Sequence, residues 1–295
     1  MRKNLLVSAL LSLLMVALFL FNLCCEKKTT KGGERTDWEA IKAIIYENPD
    51  IFLVDVFDTN KDTTVNPVFF REITSRNLDL KEGTPLLPPD SLHPFEYIYA
   101  PWEDSIKGVF HYFIDGKEYT KPIHAYSLMY AYFERWGEIY DTHRGWLLRK
   151  ISGNVINSLN TNPRQLYTLR ITSSGVDAVI DDSVILELVR FNKWWPDIDS
   201  TLHFSLGEKV TFTLEPKDTT DYLFLYIGED GNFKKFPFLS NGNGTFSASW
   251  TTTNDPNIAK GYKHAFVDAI SRDAVTDTTA KYDSKTWGII YRIKQ

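Results

Sequence analysis

Lys107-Gly108-Val109-Phe110-His111-Tyr112-Phe113-Ile114-Asp115-Gly116-Lys117-Glu118-Tyr119-Thr120-Lys121 is the stretch that decides the fold class of this chain. Two runs rich in aromatic and β-branched residues flank Asp115-Gly116, a dipeptide that tolerates the positive φ angles of a tight hairpin turn. If the turn has two residues, His111 pairs across from Thr120 and Phe113 from Glu118. Downstream, residues 125–136 predict a long strand: Tyr126, Leu128, Tyr130 and Tyr132 share one bulky face, and Ala125, Ser127, Met129 and Ala131 a smaller one. A sheet covered on both sides, or curved around a pocket, has this pattern. Residues 137–145 read as the next turn and 146–151 as the last strand of the unit.

Upstream, Thr36-Asp37-Trp38-Glu39 has the spacing of a capping box, which starts a helix running to about Glu47. Trp38, Ile41 and Ile45 recur at helical spacing as one apolar stripe, and Asn48-Pro49 ends it. Residues 51–57 read equally as a strand or as a continuation of the helix beyond Pro49. Residues 83–94, with Pro85, Pro88, Pro89 and Pro94, are too proline-rich for either element and predict a loop.

Asn-rich residues 157–164, closing on Asn162-Pro163, predict a domain boundary. Beyond it come short apolar runs at 166–172, 184–191, 209–214, 222–227, 234–239, 245–251, 262–270 and 287–293. Turn signals such as Glu229-Asp230-Gly231-Asn232 and Asn241-Gly242-Asn243-Gly244 separate them. Seven or eight strands in this space predict a two-sheet sandwich. The fold class expected is therefore mainly β with an α+β N-terminal part: a curved antiparallel sheet with an N-terminal helix over 36–158, then a β-sandwich over 165–295.

Two resemblances attach to these units. Gly207-Glu208-Lys209-Val210-Thr211-Phe212, Asn243-Gly244-Thr245-Phe246-Ser247-Ala248-Ser249-Trp250 and Gly261-Tyr262-Lys263-His264-Ala265 follow one another as do the B, E and F strand openings of immunoglobulin-like modules in bacterial exported proteins. The helix, the meander and Gly145-Trp146-Leu147-Leu148 resemble the nuclear transport factor two-like α+β cone.

The N-terminus carries an export signal. Met1-Arg2-Lys3-Asn4 is basic, and residues 5–23 are apolar apart from Ser8, Ser12 and Asn22. The run is also close to the ~20 residues that span a bilayer, so an uncleaved anchor is the other reading. Leu23-Cys24-Cys25 resembles the end of a bacterial lipoprotein signal, which implies lipidation at Cys25, since Cys24 ahead of it is small. Residues 1–25 are then leader, and polar residues 26–35 a flexible tether. The expected location is the bacterial envelope, on the periplasmic side or the outer surface, with the lipid as the tie to the membrane.

Both cysteines lie in the leader, so the body has no thiol, and disulfides and cysteine metal sites are excluded from it. Without Arg2 and Lys3 the 33 basic residues fall to 31 against 38 acidic ones, a net charge of −7 that disfavours nucleic acid as a partner. The six histidines are at least thirteen residues apart, so no zincin-type pair exists. A Gly-x-Ser-x-Gly elbow and a glycine-rich phosphate cradle are both missing.

Asp58-Thr59-Asn60-Lys61-Asp62 has the alternate-oxygen spacing of a calcium loop. Thr63 and Phe69 stand where the glycine and the bidentate carboxylate belong, so it reads as a solvated turn. Loop aspartates Asp177, Asp181, Asp182, Asp273, Asp277 and Asp283 read as solubilising. Trp194-Trp195-Pro196 reads as core or interface. No cofactor is expected. The leading functional expectation is a non-catalytic envelope lipoprotein that binds an envelope protein or glycan. The alternative is a small-ligand or enzymatic pocket in the N-terminal unit, lined by His111, Glu118, Tyr130 and Tyr132.

Overall fold

The computed structural model describes residues 36–52, 58–80, 87–89, 95–159, 164–186, 189–190, 201–229 and 232–294. The leader with Cys25, the tether, His93 and Trp194-Trp195-Pro196 lie outside them, as does most of the proline-rich stretch. The described chain is mainly β, with a few short helices and curled, almost wholly antiparallel sheets.

Helix α1 (Asp37–Tyr46) begins where its first amides find side-chain acceptors. Glu39 N donates to Thr36 Oγ1 at 3.2 Å, and Thr36 N to the Glu39 carboxylate at 3.0 Å. The helix buries Ala40, Ile41, Ile44 and Ile45, so the apolar stripe is carried by Ile44 as well as the expected residues, while Trp38 packs at its margin. A single turn, α2 (Pro49–Phe52), follows, which makes Ile51 and Phe52 helical; residues 53–57 lie outside the described residues.

Strands β1 (Phe69–Leu80), β2 (Tyr97–Ile114) and β3 (Lys117–Arg135) form a long meander. The hairpin turn has two residues, with Asp115 at φ 50° and Gly116 at φ 77°, and His111 faces Thr120 and Phe113 faces Glu118. The strands are longer than the sequence predicts, because residues 117–121 and 125–136 belong to one strand that runs through Pro122. Proline is tolerated there because β3 gains a neighbour on its second side only at Ala125. Strand β1 was not anticipated. It lies tight on β2 at Gly108, where a Cβ would come within 2.3 Å of the Glu72 carbonyl oxygen. The two faces of β3 also differ in fate. Small residues Ala125, Ser127, Met129 and Ala131 are buried, while Tyr126, Leu128 and Tyr130 stay partly exposed.

The chain continues through β4 (Trp146–Ile151), β5 (Asn154–Ser158), β6 (Leu166–Thr172), β7 (Asp177–Ile180), β8 (Val189–Arg190), β9 (Leu202–Ser205) and β10 (Lys209–Pro216). It ends with β11 (Tyr222–Glu229), β12 (Asn232–Pro237), β13 (Leu239–Ser240), β14 (Phe246–Thr251), β15 (Lys263–Ile270), helix α3 (Arg272–Thr276) and β16 (Ser284–Lys294). The strand expected over 184–191 is instead a 3-10 turn (Val184–Leu186) and the two-residue β8. Its cause is Asp181, whose carboxylate accepts from Ser183 N at 2.8 Å and Val184 N at 3.0 Å and turns the chain.

One sheet has the order β1-β2-β3-β5-β16-β15-β11-β12, and the second β13-β14-β10-β6-β7. Strands from both sides of residues 159–164 are therefore neighbours in the first sheet, where β16 pairs with β5. Arg164 fixes the crossing, donating to Asp283 at 2.9 Å and Asp221 at 2.6 Å.

Three apolar clusters follow from strand parity. Ala265, Val267 and Ala269 point toward the second sheet and meet Phe212, Leu214 and Trp250. Phe266 and Ile270 point the other way and meet Phe69, Phe110 and Ile123, because the first sheet curls back over itself. At the open end of the hairpin, Ile98, Ala100, Met129 and Phe133 are covered by α1.

Candidate functional site

The four residues expected to line a pocket do not converge. His111 and Glu118 meet, with Nδ1 2.7 Å from the Glu118 carboxylate, while Glu72 approaches Nε2 at 3.4 Å and Phe70 stacks on the ring at 4.3 Å. Tyr130 and Tyr132 lie twelve or more residues further along β3, roughly 40 Å of extended strand away. There they stack in tilted pairs with Tyr99 and Tyr97, at 5.1 and 5.6 Å. Parity puts all four on one face of the hairpin, and the length of the strand separates them. The concave side that a cone would leave open is filled by α1 and by the curl of the sheet.

The densest chemistry lies inside the curl, at residues the sequence reading assigned elsewhere. Asp58 is buried rather than solvated, which corrects the reading of 58–62 as a turn in water; Asp62 caps Thr64 separately at 2.8 Å. The Asp58 carboxylate accepts at Oδ2 from Arg71 Nη1 at 3.1 Å and from the Tyr226 hydroxyl at 3.0 Å. Arg71 donates its remaining edge to Asp268 at 2.6 Å and to the Tyr282 oxygen at 2.8 Å. Asp268 in turn accepts from the Thr286 hydroxyl at 2.7 Å. The other Asp58 oxygen, Oδ1, faces Lys235 Nζ at 3.6 Å.

Lys235 Nζ has no hydrogen-bond partner among the described residues. It rests on aromatic faces instead: 3.2 Å from the Phe69 centroid, 4.7 Å from that of Phe224 and 5.6 Å from that of Tyr226.

Burial sets the protonation balance of this group. Loss of solvent pushes the Asp58 carboxyl up to about 7, against the pull of Lys235 and Arg71. It brings the Lys235 ammonium down to about 8, with Asp58 opposing the fall. Burial acts against the Arg71 charge too, yet Asp268 and the surrounding oxygens hold the guanidinium protonated well beyond its ordinary range. The one cue in the sequence was parity: Asp268 alternates with Phe266 and Ile270, so a charge falls on an inward position of an apolar strand.

Other aspartates read as solubilising also have partners. Asp182 accepts from Lys285 Nζ at 2.5 Å and from Trp287 Nε1 at 3.0 Å, and Asp283 holds Ser158 as well as Arg164. On the surface, Trp136, Ile139 and Tyr140 project from one turn, with Tyr140 79% exposed. Trp136 stacks on Phe95 at 4.3 Å, and a hydrogen bond between His143 and Glu47 and an ion pair of Arg144 with Asp37 tie the turn to α1. No family model matches this sequence, and no curated protein matches it.

Proposed function

We propose that this chain is an exported envelope lipoprotein, anchored through Cys25, that works as a non-catalytic binding module. The observation that carries the reading is the basic and apolar leader closing on Leu23-Cys24-Cys25 ahead of a body with no cysteine. In this reading residues 165–295 are an immunoglobulin-like sandwich. The facing orders β13-β14-β10-β6 and β12-β11-β15-β16 support it. The seating of α1 on a long curved hairpin is the support for a cone-like unit over 36–158.

The contact surface we assign is the aromatic turn at Trp136, Ile139 and Tyr140, apolar groups held outward by a rigid base. Its partner is an envelope component, protein or glycan. Fatty-acid labelling of the full chain and of Cys25→Ala tests the anchor, and label that persists in the variant sinks it. Capture of envelope fractions by the wild type and by a Trp136→Ala, Tyr140→Ala double variant tests the surface, with at least a tenfold loss of captured material expected. The pocket reading has less support, since His111 and Glu118 stand apart from Tyr130 and Tyr132.

A further inference from the structure

The main path of the first sheet runs from β1 to β12, and its curl brings Phe69 of β1 against Phe224 and against Lys235 of β12, with no ladder between β1 and β12 among the described residues. What spans the gap is side-chain chemistry. Asp58 and Arg71 stand on the β1 side, and Lys235 reaches in from β12. An exported body with no cysteine has no disulfide with which to close such a seam.

We propose that Lys235 and Asp58 form an intramolecular amide cross-link, Nζ to Cγ, which closes the curled sheet covalently. The fold holds the nucleophile against the carboxyl it would attack, with Nζ 3.6 Å from Oδ1 and no hydrogen-bond partner for Nζ among the described residues. The aromatic faces of Phe69, Phe224 and Tyr226 enclose the nitrogen and exclude water, which would otherwise keep both partners hydrated and charged.

The step needs no oxidant and no cofactor. Lys235 passes one proton to Asp58, leaving a neutral amine against a neutral carboxyl. Burial raises the Asp58 carboxyl and lowers the Lys235 ammonium, so both shifts favour that exchange. The Nζ lone pair then attacks Cγ. Oδ2, which already accepts from Arg71 and Tyr226, takes the negative charge of the tetrahedral intermediate, so these two donors act as an oxyanion hole. Collapse breaks the Cγ–Oδ1 bond, and Oδ1 leaves as water with the transferred proton and a second one from the nitrogen. One N–C bond replaces one C–O bond, and the chain loses one water.

A tryptic digest of the purified full chain reads this directly. Trypsin cannot cut after an acylated lysine, so a cross-linked chain yields residues 43–61 joined to a segment that starts at Lys235 and runs to Lys260. The branched species weighs one water less than its two arms together, and fragmentation places the junction at Asp58 and Lys235. Lys235→Arg keeps the positive charge, removes the nucleophile, and is expected to yield the 43–61 peptide in linear form only. Linear 43–61 and cleavage after Lys235 throughout the wild-type digest would overturn the proposal, as would a water loss located within a single peptide. The wild-type digest decides the matter even if the variant does not fold, and its result is independent of the lipid anchor.

Discussion

Arg71 and Arg170 bind carboxylates at comparable distances in opposite surroundings. Arg170 holds Asp177 through two parallel bonds of 2.8 and 2.6 Å, but both side chains are more than half exposed. Arg71 divides its edges between Asp58 and Asp268 at 3.1 and 2.6 Å, with its side chain 6% exposed. Bond length does not separate the two sites. Water does: around Arg170 it offers each partner an equally good alternative, and around Arg71 no alternative remains once one partner is lost. Arg164, 20% exposed and gripping Asp218, Asp221 and Asp283, stands between them.

The largest effect is expected of Arg71→Met. It leaves the buried Asp268 carboxylate without its guanidinium and Asp58 Oδ2 without one of its two donors, and a loss of about 3–5 kcal/mol is expected in chemical denaturation. A change like that of a surface variant would mean that solvent reaches the curl. Arg164→Met, at the intermediate site, is expected to lose about 1–2 kcal/mol by the same measurement, because water partly replaces the guanidinium.

Asp221, at the Arg164 site, couples stability to pH. Burial, with Asp218 and Asp283 nearby, lifts its carboxyl to about 7 in spite of Arg164. The folded chain therefore binds more protons at this site than the unfolded chain between about pH 4 and about pH 7. Stability from this group is full below that window and declines as pH rises through it. Asp221→Asn is expected to remove the decline, a difference of less than about 1.4 kcal/mol per pH unit in denaturation midpoints followed across the window. A wild type and variant with parallel pH profiles would contradict the assignment. Arg170→Ala closes the series. Its melting temperature is expected to match that of the wild type within error, in low salt as in high.

The hairpin was legible because its information is local. Asp115-Gly116 fixes the turn, and the turn fixes His111 opposite Thr120. The capping box at Thr36 and Glu39 was legible for the same reason, since its donors and acceptors are three residues apart. The extent of β2 and β3 was not, because Pro101 and Pro122 read as breaks unless one knows which side of each strand lacks a neighbour. The face of β3 that is buried was not legible either. Alternation gives two faces, and only the docked partners choose between them.

The candidate site shows the same division more strongly. In the linear chain Asp58 belongs to a polar run that resembles a turn, and nothing near it reveals that Arg71, Lys235 and Asp268 will surround it. By itself the sequence determined what depends on neighbours along the chain: the β-rich character, the turns, and the confinement of both cysteines to residues 24 and 25. The tertiary structure alone decided the curl, which face of each strand is dry, and which charges meet inside it. Burial and protonation are properties of what surrounds a group in space, and here the surroundings come from segments up to 211 residues away.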